Sequence, residues 1–352
     1  MRDKQLRRSL SDEEREAMWQ AISERTLQSL RRRRRQRWRA IAAAAAVALV
    51  ALLGWWMWPT DRVADREEWM AMAVQGPDSA ALEGELQITL PDGTTVTALD
   101  NAVITYSDSL LQIQEAEAAP RRMVASAGTT GLHTITVPYG KRAEVVLPDG
   151  TTVWLNAGSV FRFSPTFGDS RATYLLGEGF FQVVRNEKAP FSVHTPDLTV
   201  QVLGTSFNVS AYPDDRLHTT TLVEGSVSLH TDKRGGKQQR LVPGERATFD
   251  TDAKTLTVRR DDELADVLWT KKQLLLQRRP LAEIVRRLER MYNTEITWPR
   301  EYGATESTFS GSLNLEQPIV KVLSYLFDKQ EFTIEQMERR VIIEKKSVEN
   351  VH

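Results

Sequence analysis

Cysteine is absent from the 352 residues, and histidine occurs only five times. The first absence excludes a disulfide scaffold, a thiolate zinc site, an iron–sulfur cluster and a cysteine nucleophile. His133, His194, His218, His230 and His352 form no i, i+4 pair and no H-E-x-x-H motif, which removes a common zinc-hydrolase signature. There is no G-x-S-x-G elbow, no G-x-x-x-x-G-K-[ST] loop and no G-x-G-x-x-G; Gly177-Glu-Gly179 matches half of the last motif, with no helix after it. Glu144, Glu178 and Glu224 could face one another as a glycosidase pair, but a solvated strand edge is the favoured reading for such single carboxylates. The chain therefore reads as a non-enzyme with no catalytic residues, no cofactor and no metal site. It looks built to bind and transmit.

What is present is a charge split. The net charge is −1, yet residues 1–39 carry 13 Lys and Arg against six Asp and Glu, a net +7, and the remainder carries 33 against 41, a net −8. Between these segments, Ala40 to Trp58 is a run of 19 residues without a charge. At about 1.5 Å per residue it covers about 28 Å as a helix, close to the roughly 30 Å hydrocarbon core of a bilayer. Arg31–Arg35, Arg37 and Arg39 abut its start, and Asp61, Arg62, Asp65, Arg66, Glu67 and Glu68 follow its end. The positive-inside rule leaves the N-terminus cytoplasmic and the C-terminal region outside. Trp55, Trp56 and Trp58 sit where an interfacial aromatic belt lies. A cleaved signal peptide has a shorter apolar region, roughly 7–15 residues, after a short basic stretch. The expectation is thus a single-pass inner-membrane protein. Anionic headgroups account for the arginine run without nucleic acid.

In residues 1–39, Ser11-Asp-Glu-Glu14 has the capping-box pattern. The helix it starts places Met18, Trp19, Ile22 and Leu30 on one apolar side. So short a segment encloses no core of its own, so this face needs a partner or the membrane surface.

After a linker the pattern changes to period two. Val145, Leu147, Val153, Leu155, Phe161, Phe163, Phe181, Val183, Val200, Val202, Phe207 and Val209 lie in short alternating runs. Pro148-Asp-Gly150, Asn156-Ala-Gly158, Gly177-Glu-Gly179 and Pro213-Asp-Asp215 punctuate them. This is the spacing of an all-β sandwich, barrel or solenoid. Leu90-Pro-Asp-Gly-Thr-Thr-Val96 recurs as Leu147-Pro-Asp-Gly-Thr-Thr-Val153, a turn signal rather than a calcium loop. From about residue 264 a helical period appears. Leu281, Ile284, Val285, Leu288 and Met291 make one face, while Glu283, Arg286, Arg287, Glu289 and Arg290 lie outside it. Pro280 suits the first helical position and Asn293 the C-terminal end. The unit repeats 38 residues later, matching 281/319, 284/322, 285/323, 288/326 and 296/334. With strands at 296–298, 308–313, 332–334 and 341–344, two helix–strand units on one sheet are expected.

Six stretches carry a resemblance: Val137-Pro-Tyr-Gly-Lys-Arg142, Leu147-Pro-Asp-Gly-Thr-Thr-Val-Trp-Leu-Asn-Ala-Gly-Ser159, Gly177-Glu-Gly-Phe-Phe181, Val202-Leu-Gly-Thr-Ser-Phe-Asn-Val209, Val223-Glu-Gly-Ser-Val227 and Leu241-Val-Pro-Gly-Glu245. In this order they resemble the periplasmic domain of FecR-type anti-sigma factors. Residues from about 265 resemble the C-terminal domain that follows it, related to the short N-terminal domain of secretins and TonB-dependent receptors. The resemblance implies this organisation: 1–39 cytoplasmic, 40–58 transmembrane helix, 59–129 linker and first β repeats, 130–260 an all-β solenoid- or sandwich-like domain, and 265–346 a small α+β domain. It implies an extracytoplasmic-function sigma factor as cytoplasmic partner, with Met18, Trp19 and Ile22 as contacts, and a TonB-dependent outer-membrane transducer as periplasmic partner. The function it implies is control of an uptake operon for a siderophore or a glycan. It also implies a longer cytoplasmic region, of which Leu10 to Leu30 match the final helix. A periplasmic binding or scaffold module without sigma-factor contact is the alternative from another class.

Overall fold

A computed structural model of the chain describes residues 82–107, 110–116, 118–124, 131–167, 171–231, 238–304 and 308–346. Met18, Trp19, Ile22, Ala40 and Trp58 lie outside the described residues. Among the described residues no helix is long and apolar enough to cross a membrane.

Between Leu86 and Arg260 the alternating runs become strands in two layers. One layer runs, in spatial order, Thr95–Ala98, Leu86–Thr89, His133–Val137, Ser159–Phe163, the first half of Arg171–Gln182, Phe191–His194, Leu198–Val202, Val227–Thr231 and Gln238–Leu241. The other runs Arg121–Val124, Leu110–Gln114, Ala102–Ser107, Ala143–Val146, Thr152–Leu155, the second half of Arg171–Gln182, Ser206–Ala211, Leu217–Glu224, Glu245–Asp250 and Thr255–Arg260. Pairing is antiparallel except for Arg171–Gln182 with Phe191–His194 and Ala102–Ser107 with Ala143–Val146.

Because side chains alternate across a strand, each layer turns one apolar face inward. Leu86, Ile88, Phe161 and Leu175 from the first layer meet Ile104, Val145, Phe181 and Phe207 from the second in a single core. Phe181 and Phe207 stack with ring centroids 5.1 Å apart. Each such side chain contributes roughly 1.5–3 kcal/mol on burial. Strands on both sides of residue 130 share these layers and this core.

The long strand joins the layers by bending at Gly177 (φ +98°). A methyl group there would overlap Ser159 Oγ and lie 2.7 Å from Ser159 Cα. The repeated turns are built alike. Leu90 and Leu147 N–H groups donate to Thr94 and Thr151 carbonyls, each at 2.8 Å, and Gly93 and Gly150 both take positive φ. Asp92 and Asp149 accept from Thr94 and Thr151 N–H. Asp149 alone adds an ion pair, at 2.6 Å, to the buried Arg171.

The C-terminal part has its own core. The strand Gln273–Pro280 pairs with Thr308–Asn314. Helix α1 (Leu281–Tyr292) follows, then Glu295–Thr297, helix α2 (Arg300–Ala304) and helix α3 (Ile319–Leu323). Phe332–Met337 and Arg340–Lys345 form a hairpin, and Glu295–Thr297 joins its Arg340–Lys345 side in parallel. Leu281, Ile284, Val285 and Leu288 are buried, as are their repeat partners Ile319, Val322, Leu323 and Leu326. Two features differ from expectation. The strands form two small sheets rather than one, because Gln273–Pro280 takes Thr308–Asn314 as its partner. Pro280 and Pro318 are N-caps in extended conformation, one position before the helices they start. Asn293 ends α1 in the left-handed conformation, φ 50° and ψ 51°, as such a cap requires.

Two outcomes follow. Gly177→Ala should cost about 2–4 kcal/mol in urea unfolding, from overlap plus an unfavourable φ. Gly93→Ala, with no atom within 4 Å of the added methyl, should cost only about 1–2 kcal/mol. The second concerns His133, buried against Tyr106 and Phe163 with Nε2 unpartnered. Burial pushes its pKa down to about 4 from 6.5, against a small opposing pull from Asp92. The fold holds it neutral, so its contribution is intact above pH 6.5 and is lost as pH falls toward 4, by about 3 kcal/mol. His133→Gln should remove that slope from the unfolding free energy measured against pH.

Candidate functional site: a buried polar seam

Helix α1 presents Arg286, Arg287 and Arg290 away from its apolar face, and such a face is ordinarily solvated. Here it is docked on the outer side of the second β layer. Arg290 is 5% exposed, with Nη1 2.8 Å from Asp215 Oδ2 and Nη2 2.8 Å from Asp214 Oδ2. Its guanidinium lies 3.9 Å from the centroid of the Tyr212 ring, within cation–π range. Arg286 adds a 3.0 Å pair to Asp215. The Pro213-Asp-Asp215 turn is therefore a clamp on the helix. Burial pushes the Asp215 carboxyl up, and the Arg290 and Arg286 guanidiniums more than reverse this, holding it below the usual carboxylate range. Burial also pushes the Tyr212 hydroxyl well up, and it donates to the Ala157 carbonyl at 2.8 Å.

Next to the clamp is Glu178, which does not sit on a solvated strand edge. It is 3% exposed, because the bend at Gly177 turns it under the helix. Asn156 Nδ2 donates to Oε2 at 2.8 Å and Asn208 Nδ2 to Oε1 at 3.1 Å. Arg287 Nη2 reaches Oε1 at 3.4 Å. Ser159 Oγ accepts from Glu178 N–H and donates to its carbonyl. Asn208 Oδ1 accepts from the indole of Trp269, which is 1% exposed on the 3-10 turn Leu268–Lys271. The other two candidate carboxylates do not join Glu178. Glu144 accepts from Trp154 Nε1 at 3.1 Å, and Glu224 is exposed at a strand end.

A third cluster surrounds Asp266, buried on the turn Glu263–Asp266. Thr221 Oγ1 donates to it at 2.6 Å, and Arg246 and Arg279 approach at 3.4 and 3.3 Å. Arg279 reaches it because the strand bulges between Leu276 and Arg279, with Arg278 at φ 47°. The far end of α1 is held by Gly140, whose N–H donates to the Arg290 carbonyl at 2.8 Å. Arg142 Nη1 donates to the Trp269 carbonyl. Tyr139 packs where any side chain at Gly158 would stand.

Four of the six stretches singled out in the sequence thus converge on one place. Val137–Arg142 supplies Gly140 and Arg142, and the stretch ending at Ser159 supplies Asn156. Gly177–Phe181 supplies Glu178, and Val202–Val209 supplies Asn208. The seam is built of fixed donors and acceptors. It joins two folded bodies of the chain: a two-layer β body and a helix–strand body docked on it by charge.

Comparison with known proteins agrees. The family model described as FecR protein matches residues 133–228, and that described as FecR, C-terminal, matches 273–343. Two crystal structures of a candidate anti-sigma factor from Parabacteroides distasonis, at 1.65 and 2.50 Å resolution, are 31% identical with a TM-score of 0.54. Each match covers 61% of this chain and 99% or 100% of that one. No curated protein matches. The chain belongs to the FecR family.

In a double-mutant cycle, Arg290→Ala and Asp215→Ala should couple by about 1–3 kcal/mol, since either alone strands a largely buried charge. The exposed Arg185–Glu187 pair, 74% and 65% exposed, should couple by less than about 1 kcal/mol. Because Asp215 titrates below its ordinary value, the Arg290 coupling should persist above about pH 4 and fade at more acid pH.

Proposed function

We propose that this chain is an inner-membrane anti-sigma regulator. It relays a signal from an outer-membrane TonB-dependent transducer to an extracytoplasmic-function sigma factor and so controls an uptake operon for a siderophore or a glycan. Family membership carries the reading, together with the anti-sigma description of the Parabacteroides distasonis structures. The chain's charge layout supports it: 19 uncharged residues between a +7 and a −8 segment. In this reading residues 1–39 meet the sigma factor through Met18, Trp19 and Ile22, Ala40 to Trp58 cross the membrane, and the two docked bodies lie in the periplasm.

The helix–strand body is the receiving end. Its strand Phe332–Met337 pairs on one side with Arg340–Lys345, and among the described residues its other side has no strand partner. An unpaired edge accepts a strand from a partner, which suits the transducer's signalling domain. The seam then ties an event at that edge to the β body that follows the membrane segment.

Deleting residues 60–352 should change transcription of the adjacent uptake operon; unaltered transcription would overturn the proposal. Since the chain has no cysteine, single cysteines report its topology. A membrane-impermeant maleimide should label the Gln330→Cys chain in intact spheroplasts and the Ser9→Cys chain only after lysis. Equal labelling of both would exclude the span.

A further inference from the structure

Side chains that point outward from a two-layer β body are ordinarily wetted, yet four on the first layer are not. Thr136, Val160, Tyr174 and Leu176 alternate along their strands with the core residues Ile135, Phe161 and Leu175, so they face away from the second layer. Pairing sets Thr136 beside Val160, Val160 beside Leu176, and Arg162 beside Tyr174. Val160, Tyr174 and Leu176 make an apolar cluster separate from both cores, each 5% exposed or less, and Thr136 is 8% exposed. Elsewhere on the same outer face Gln87, Thr199, Gln201 and Ser228 are only half-buried.

Among the described residues the apolar side chain packed on this cluster is Leu132, and one leucine does not cover two aliphatic side chains and a phenol ring. The helix–strand body docks on the other layer, and its core shares no residue with the cluster. The neighbouring segments 125–130 and 168–170 read Ala-Ser-Ala-Gly-Thr-Thr and Gly-Asp-Ser, without a large apolar residue. Upstream of Leu82 the chain does hold one: Trp69-Met-Ala-Met-Ala-Val74 is the longest apolar run between Trp58 and Leu82. Leu82 lies close to the cluster, since its carbonyl accepts from Tyr139 N–H at 3.0 Å and Tyr139 is three residues, about 10 Å, from Thr136. The eight residues from Val74 to Leu82 reach about 26 Å, which is ample. Charge agrees as well. Glu67 and Glu68 precede the run, and the outward positions of the three strands that carry the cluster hold one charged residue, Arg162, in register with Tyr174.

We infer that the outer face of the first layer is a docking surface for the chain's own residues 69–74, which seat over Val160, Tyr174 and Leu176 with Glu67 and Glu68 toward Arg162. The β body thereby straps down the segment that precedes it. Seating shortens the link between Trp58 and the β body from 23 residues, 59–81, to ten, 59–68; release of the strap returns the rest. This inference does not depend on the relay proposed above.

The test uses the full chain in neutral detergent, where the absence of cysteine makes a single introduced thiol readable. Ala71→Cys and Met72→Cys are adjacent, so one of the two faces the sheet. The slower should react with a maleimide at least tenfold more slowly than Ala64→Cys, which lies before the apolar run. In a second measurement Trp69 is replaced by the photo-cross-linking residue benzoylphenylalanine. Irradiation should join it, within one chain, to the strands Ser159–Phe163 or Arg171–Gln182, as located by mass spectrometry. Reaction of both thiols at the Ala64→Cys rate overturns the inference. So does cross-linking between chains, which would make a second copy the occupant, and so does cross-linking to detergent or to any other part of the same chain.

Discussion

A carboxylate removed from water is tolerated only where fixed donors replace its hydration, and most of this structure is arranged to meet that condition for Glu178. The bend at Gly177 delivers the side chain, and Asn156, just past the strand Thr152–Leu155, and Asn208, on the strand Ser206–Ala211, hold its two oxygens. Asn208 in turn holds the Trp269 indole, and Arg287 approaches from the helix. Residues from five separate segments therefore depend on one another. Taking away any one leaves a buried polar group unmatched, which costs more than the lost bond itself contributed.

That network explains why two bodies with separate apolar cores hold one arrangement. Neither core bridges the seam; ion pairs, a cation–π contact and a few hydrogen bonds do. Polar docking is specific in geometry, because every charge must find its partner. It is also more easily reversed than an apolar interface of equal area, since both faces can be rehydrated. Such a junction suits the relay proposed above.

Much of the fold was legible along the chain. Period-two runs marked the strands, Pro-Asp-Gly marked the matching turns at 90–96 and 147–153, and Leu281, Ile284, Val285 and Leu288 marked the buried face of α1. The other face of α1 was not legible. Arginines at helical spacing look the same whether water or Asp214 and Asp215 lies opposite, and those aspartates are about 75 residues away. Glu178 was hidden for a similar reason: alternation places it on the outer face of its strand, and only packing shows that this face is covered. The bulge before Arg279 also left no local signal beyond an arginine at positive φ.

By itself the sequence determined which segments are strands or helices, where the turns fall, and which family the chain resembles. These depend on periodicity, on glycine and proline chemistry, and on order along the chain, all of which are local. Tertiary structure alone decided that a helix's charged face is an interface and that two asparagines from two motifs and an arginine from the helix share one carboxylate. Charge pairing in a protein is set by distance in space, and the sequence records only distance along the chain.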